Sequence, residues 1–236
     1  MLKEDIIKKS PIRVLEKSLQ GGLGSKKLGV FTARKGVGKT ASLVHISIDK
    51  MMRGQKVLHL SFADDPHHIE NWYEQVFDEL SKTYKLEDKQ DAFDEIIRNR
   101  LILHLKNRQI SYEEIKESIA RLLRNTAFDP ATLIIDGFDF DQASPKKMKA
   151  WRDIANLYSV EMWFSATLHR EELDIDKDGI PSPVNRLKTA LDVIIMLNPL
   201  QNYVDLVMLK CYDETKPDKL PLKLDPSSLL IANHRI

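Results

Sequence analysis

The chain has 236 residues, with 36 basic and 35 acidic side chains and a formal charge of +1. At 42% apolar and 30% charged residues it sits near the globular average, which excludes a disordered composition. Cys211 is the only cysteine, so an internal disulfide and a Cys-rich zinc site are excluded, and no apolar run reaches the ~18 residues of a membrane span. The balanced charge argues against a dedicated nucleic-acid binder; nucleic acid is a possible partner that charge does not indicate. The charged start (Lys3, Glu4, Asp5) carries no long apolar stretch, so the expectation is a cytoplasmic protein without a secretory signal or membrane partner.

Residues 1–25 read as a lead-in with a short helix, ahead of one domain over 26–236. Six of the nine glycines fall within 21–38, which marks special backbone geometry there. A strand is predicted over 28–32, then a Gly-containing loop and a helix over 39–53 that stops at Gly54. A strand over 57–62 follows, then two helices within 66–98, with Ile69, Trp72, Tyr73, Val76, Phe77 and Leu80 on one face. After a strand over 101–105, the run Ser111-Tyr112-Glu113-Glu114 opens a helix with a capping-box pattern. The apolar strand over 132–135 lacks polar alternation, as for a strand covered on both faces. Pro145 starts another helix, and strands over 160–166, 193–197, 203–210 and 228–231 end the chain. Alternating strands and helices imply a mainly parallel sheet, here with an antiparallel C-terminal edge.

The chemistry is concentrated in Ala33-Arg34-Lys35-Gly36-Val37-Gly38-Lys39-Thr40. It matches the phosphate-loop pattern G-x-x-x-x-G-K-[ST], except that Ala33 replaces the first glycine. Gly36 and Gly38 let backbone N–H groups converge on an anion, and the helix that follows points its positive end at the same place. Lys39 is expected to reach the terminal phosphates of ATP or ADP, and the Thr40 hydroxyl to ligate Mg²⁺. With Ala41 these residues form the candidate nucleotide-binding segment. Leu133-Ile134-Ile135-Asp136 is an apolar strand ending in a carboxylate, and Asp136 is the expected second Mg²⁺ group, opposite Thr40.

On these motifs the chain resembles the RecA-like ATPases of the KaiC/DnaB branch. The lead-in Leu15 to Gly21-Gly22-Leu23, the second strand 56–62, the terminal hairpin 191–210 and the closing segment 220–230 are similar in order and pattern. The resemblance implies a single RecA-like P-loop domain of class α/β, with helices on both faces of the sheet, that assembles as a homo-oligomer. It also implies a glutamate at the end of the second strand to activate water. Here the matching position is Ala63, which leaves Asp64 or Asp65 as candidate bases. The family's Lys-x-Arg pair, which acts on a neighbouring subunit's nucleotide, reads Lys210-Cys211-Tyr212: Lys210 is a candidate in trans, and Tyr212 stands in place of the Arg.

A missing base and a missing Arg predict slow or absent hydrolysis, with bound nucleotide acting as an assembly or conformational switch. The alternatives are an active DNA-dependent motor, a MinD/ParA-like ATPase in which Arg34 imitates the signature lysine in part and Lys35 stands where a glycine belongs, and a scaffold with a relic site. Ser165 or Thr167 is a candidate polar sensor of the terminal phosphate. Asp174, Asp176 and Asp178 begin a calcium-loop pattern, but Asn185 stands where its closing Glu belongs and Pro181 and Pro183 interrupt it. His67-His68 lack further metal ligands at supporting spacing. The basic run Lys146-Lys147-Met148-Lys149 with Trp151 and Arg152 reads as a solvated helix face.

Overall fold

The computed structural model describes residues 3–62, 65–105, 110–168 and 174–234. In chain order the elements are α1 (Lys3–Lys9), α2 (Ile12–Ser18), β1 (Leu28–Arg34), α3 (Lys39–Met52), β2 (Val57–Ser61), α4 (Pro66–Tyr84) and α5 (Lys89–Ile97). There follow β3 (Arg100–His104), α6 (Tyr112–Thr126), β4 (Thr132–Asp136), α7 (Pro145–Tyr158), β5 (Glu161–Leu168) and a 3₁₀ helix (Val184–Ala190). Strands β6 (Val193–Pro199), β7 (Val204–Cys211), β8 (Asp218–Leu224) and β9 (Ile231–Asn233) complete the described chain.

The strands form one sheet in the order β3-β2-β4-β5-β1-β6-β7-β8-β9. Pairing is parallel from β3 to β6 and antiparallel from β6 to β9. β1 lies between β5 and β6, and all its residues but the last are buried. Alternate residues feed two cores. Phe31, Ile134 and Trp163 pack toward α3, α4 and the two lead-in helices. Val30, Leu133, Ile135 and Phe164 pack toward α6, α7 and the 3₁₀ helix. This two-sided burial accounts for strands without polar alternation.

The predicted mainly parallel sheet with an antiparallel C-terminal edge is the sheet observed. Ser111 caps α6 in a complete capping box with Glu114, and Ser144 caps α7. Several boundaries differ. β1 runs on through Ala33 and Arg34, which pair with Thr167 and Leu168 of β5, so Ala33 belongs to a strand and not to a tight turn. The lead-in holds two helices, and their Ile6, Ile12, Leu15 and Leu19 are buried in the core. The final strand is β9, starting at Ile231, with β8 ahead of it. The 3₁₀ helix has no clear sequence periodicity to reveal it.

Ionic contacts fasten the lead-in to α3. Asp49, buried on α3, pairs with Arg13 and with Arg53 at 2.9 Å, and both arginines also hold Glu16. Burying a carboxylate costs free energy that such partners offset.

Candidate phosphate-binding site

A cleft of about 750 Å³ opens at the C-terminal ends of β1, β4 and β5. Open parallel sheets place ligand sites at this edge. One wall is Lys35, Gly36, Gly38, Lys39, Thr40 and Ala41; the opposite wall is the run from Asp136 to Asp141 together with Ser165 and Thr167. His68 and Trp72 of α4 and Leu229 from the β8–β9 connection complete it.

The loop geometry follows from its glycines. Gly36 has φ +83° and Gly38 has φ +113°, both in the left-handed region that side chains rarely adopt. Gly38 is the residue before α3, and a Cβ there would overlap the Leu224 side chain at the end of β8. The Lys39 ammonium donates to the carbonyls of Ala33 (3.1 Å) and Arg34 (3.0 Å). It is only 9% exposed, and burial lowers its pKa from 10.5 to about 8 against the opposing pull of Asp136. The Ala33 methyl is buried in the core, away from the cleft wall. Arg34 is exposed, and Val37 packs against the core.

Thr40 and Asp136 meet. The Thr40 hydroxyl donates to Asp136 Oδ2 at 2.8 Å, and the Ser165 hydroxyl donates to Asp136 Oδ1 at 2.5 Å. Ser165 Oγ in turn accepts the Gly137 N–H at 2.9 Å. A hydroxyl and a carboxylate side by side form a hard-oxygen donor set that suits Mg²⁺.

The other candidates lie apart from this cluster. Asp65 is exposed and caps α4, accepting the His68 N–H at 3.0 Å, a bond that lowers its pKa; it is not in the cleft wall. Ala63 and Asp64 lie outside the described residues. Lys210 donates to the carbonyls of Lys188 (2.7 Å) and Leu191 (2.6 Å) within its own chain, and burial lowers its pKa. The Tyr212 hydroxyl donates to the Gly22 carbonyl at 2.7 Å, closing the hairpin onto the lead-in turn. Asp176 and Asp178 both bind the Lys188 ammonium, so a side-chain cation fills the calcium-like loop. No cluster of metal-ligating side chains is found among the described residues.

Sequence reasoning puts His68 near the nucleotide edge, where it lines the cleft, but leaves out Trp72, Asp139, Asp141 and Leu229 as cleft residues. Asp139 and Asp141 carry one available signal: they follow the strand-end Asp136 directly in sequence. Trp72 and Leu229 carry none, because the folded chain alone brings them to the loop.

No family model and no curated protein matches this chain. Among solved structures, one ATPase domain is similar over 93% of this chain and 88% of its own, with TM-score 0.66 and 14% identity. At that identity the likeness concerns the fold: a single mixed α/β domain similar to a RecA-like ATPase domain.

Proposed function

We propose that the chain binds Mg-ATP through Lys35, Gly36, Gly38 to Ala41 and Asp136, hydrolyses it slowly or not at all, and uses bound nucleotide as a switch of conformation or assembly. One observation carries this reading: Thr40 and Asp136 stand in contact at the foot of a glycine turn whose lysine is already aimed across the loop. Gly36 and Gly38 shape the turn that would hold the phosphates, and the start of α3 adds its positive end. Lys39 would exchange its two carbonyl partners for phosphate oxygens. Thr40 and Asp136 would hold Mg²⁺, which when bound neutralises phosphate charge. Ser165 orients the Asp136 carboxylate from the side away from Thr40.

Slow turnover is supported by Ala63 in the place of a base and by Tyr212 in the place of an arginine. Asp65 is already engaged as a helix cap. A homo-oligomer is part of this proposal, with Lys210 the candidate for action in trans. That role requires Lys210 to leave the two carbonyls it now holds. The MinD/ParA-like reading is disfavoured because Arg34 is the last residue of β1 and stays outside the cleft wall. No described helix is long and apolar enough to cross a membrane; a cytoplasmic location is part of the proposal.

An active DNA-dependent ATPase is favoured by one feature: Asp139 and Asp141 stand in the cleft wall, so carboxylates are present despite Ala63. The deciding experiment is fluorescent-ATP binding with Mg²⁺, followed by phosphate release from the same sample with and without single-stranded DNA. Binding with negligible release supports the switch. DNA-stimulated release above about 1 s⁻¹ selects the motor. Absence of binding overturns both.

A further inference from the structure

A second cavity, of about 470 Å³, adjoins the first. Phe62, Tyr112, Phe138 and Trp151 wall it, with Ile110 and Ile115. The Trp151 ring stands edge-on to Phe62 and Phe138, with centroids 6.4 and 6.0 Å away. Among the described residues, polar side-chain groups enter from Asp139, Gln142, Lys147 and the Tyr112 hydroxyl. Asp139 Oδ1 already accepts the N–H groups of Asp141 and Gln142. The Lys147 ammonium has the Gln142 carbonyl at 2.8 Å, and no carboxylate pairs with it among the described residues. The cavity thus joins aromatic surface to one cation, Lys147, and one carboxylate, Asp139, whose Oδ1 two backbone N–H groups already hold. Its volume lies in the range of about 300–1,000 Å³ typical of small-ligand sites, which are mostly apolar with a few placed polar groups.

We propose that this cavity binds a small ligand with a flat aromatic body and a single anionic group, the rings taking the body and Lys147 the anion. It is separate from the phosphate loop, and the proposal does not rest on nucleotide binding. The two spaces share the wall residues Gly137, Phe138 and Asp139.

The probe is 8-anilinonaphthalene-1-sulfonate, an aromatic body with one sulfonate, titrated into the full chain. Saturable binding at one site is expected, with energy transfer from tryptophan. Lys147→Glu should weaken it by about fivefold or more, the value of one partly exposed charge contact. Ile110→Trp, which fills the cavity, should abolish it, while Lys39→Ala should leave it unchanged. Thermal melts of each variant report whether the fold is intact. No saturable binding, loss on Lys39→Ala, or indifference to Ile110→Trp would overturn the site. Loss on Ile110→Trp with no effect of Lys147→Glu would overturn the anionic half of the assignment.

Discussion

Lys39, the first residue of α3, folds back onto the end of β1, its ammonium 3.1 Å from the carbonyl of Ala33. Burial there brings its pKa down to about 8. A phosphate beside it would raise that value again, so above pH 8 binding must take up a proton. Mg-ATP affinity should therefore fall as pH rises through 8, by about tenfold for each unit well above it. Titrations at pH 7, 8 and 9 check this. Lys39→Arg should flatten the profile, because a guanidinium keeps its charge.

Removing the phosphate contacts should separate their roles. Lys39→Ala removes a charge-assisted partner and should weaken ATP by at least about tenfold. Thr40→Ala should leave Mg-free binding nearly intact and reduce the gain from Mg²⁺. Isothermal titration with and without Mg²⁺ distinguishes the two.

Gly38→Ala combines a left-handed φ of +113° with overlap against Leu224. A loss of about 1–3 kcal/mol in chemical denaturation is expected, with weaker ATP binding. Leu224 is itself a buried core side chain, so Leu224→Ala alone should cost about 2–5 kcal/mol, and the double variant should lose less than the sum of the two single changes, since it removes the overlap but not the strain.

Acid should destabilise the fold through two buried histidines. His45 on α3 accepts the Ile231 N–H at Nδ1, and His59 on β2 has Nδ1 3.1 Å from the Tyr73 hydroxyl. Burial lowers each pKa from 6.5 to about 4, against the pull of Asp49 on His45 and of Asp136 on His59; Arg100 lowers His59 further. The unfolded chain binds the extra protons, so stability is full above pH 6.5 and is lost as pH falls toward 4. The loss is on the order of 3 kcal/mol per histidine. Denaturant midpoints between pH 4 and 7 measure it, and His45→Asn should reduce the slope.

Much of the sheet is legible in the sequence because its strands are short apolar runs separated by helices with one apolar face, as with Ile69, Tyr73 and Val76 of α4. The phosphate loop is legible because its chemistry is local, eight consecutive residues ending in Lys39-Thr40. Ala33 reads as a turn residue because the motif's first position is usually glycine, whereas the β5 register holds it in the sheet. Trp72, Leu229 and the Lys188 partner of Asp176 are illegible because they are long-range consequences of packing.

The closing hairpin also sets an order of events. His45 and the Ile231 N–H are separated by 186 positions, and Leu224 abuts Gly38 across the same separation. A chain made from its N-terminal side exposes the glycine turn well before the residues that brace it. Contacts this distant in sequence form slowly. Nascent chains stopped before β8 would therefore carry the complete loop motif without its support, and the loop would gain its brace only once β8 and β9 had been made.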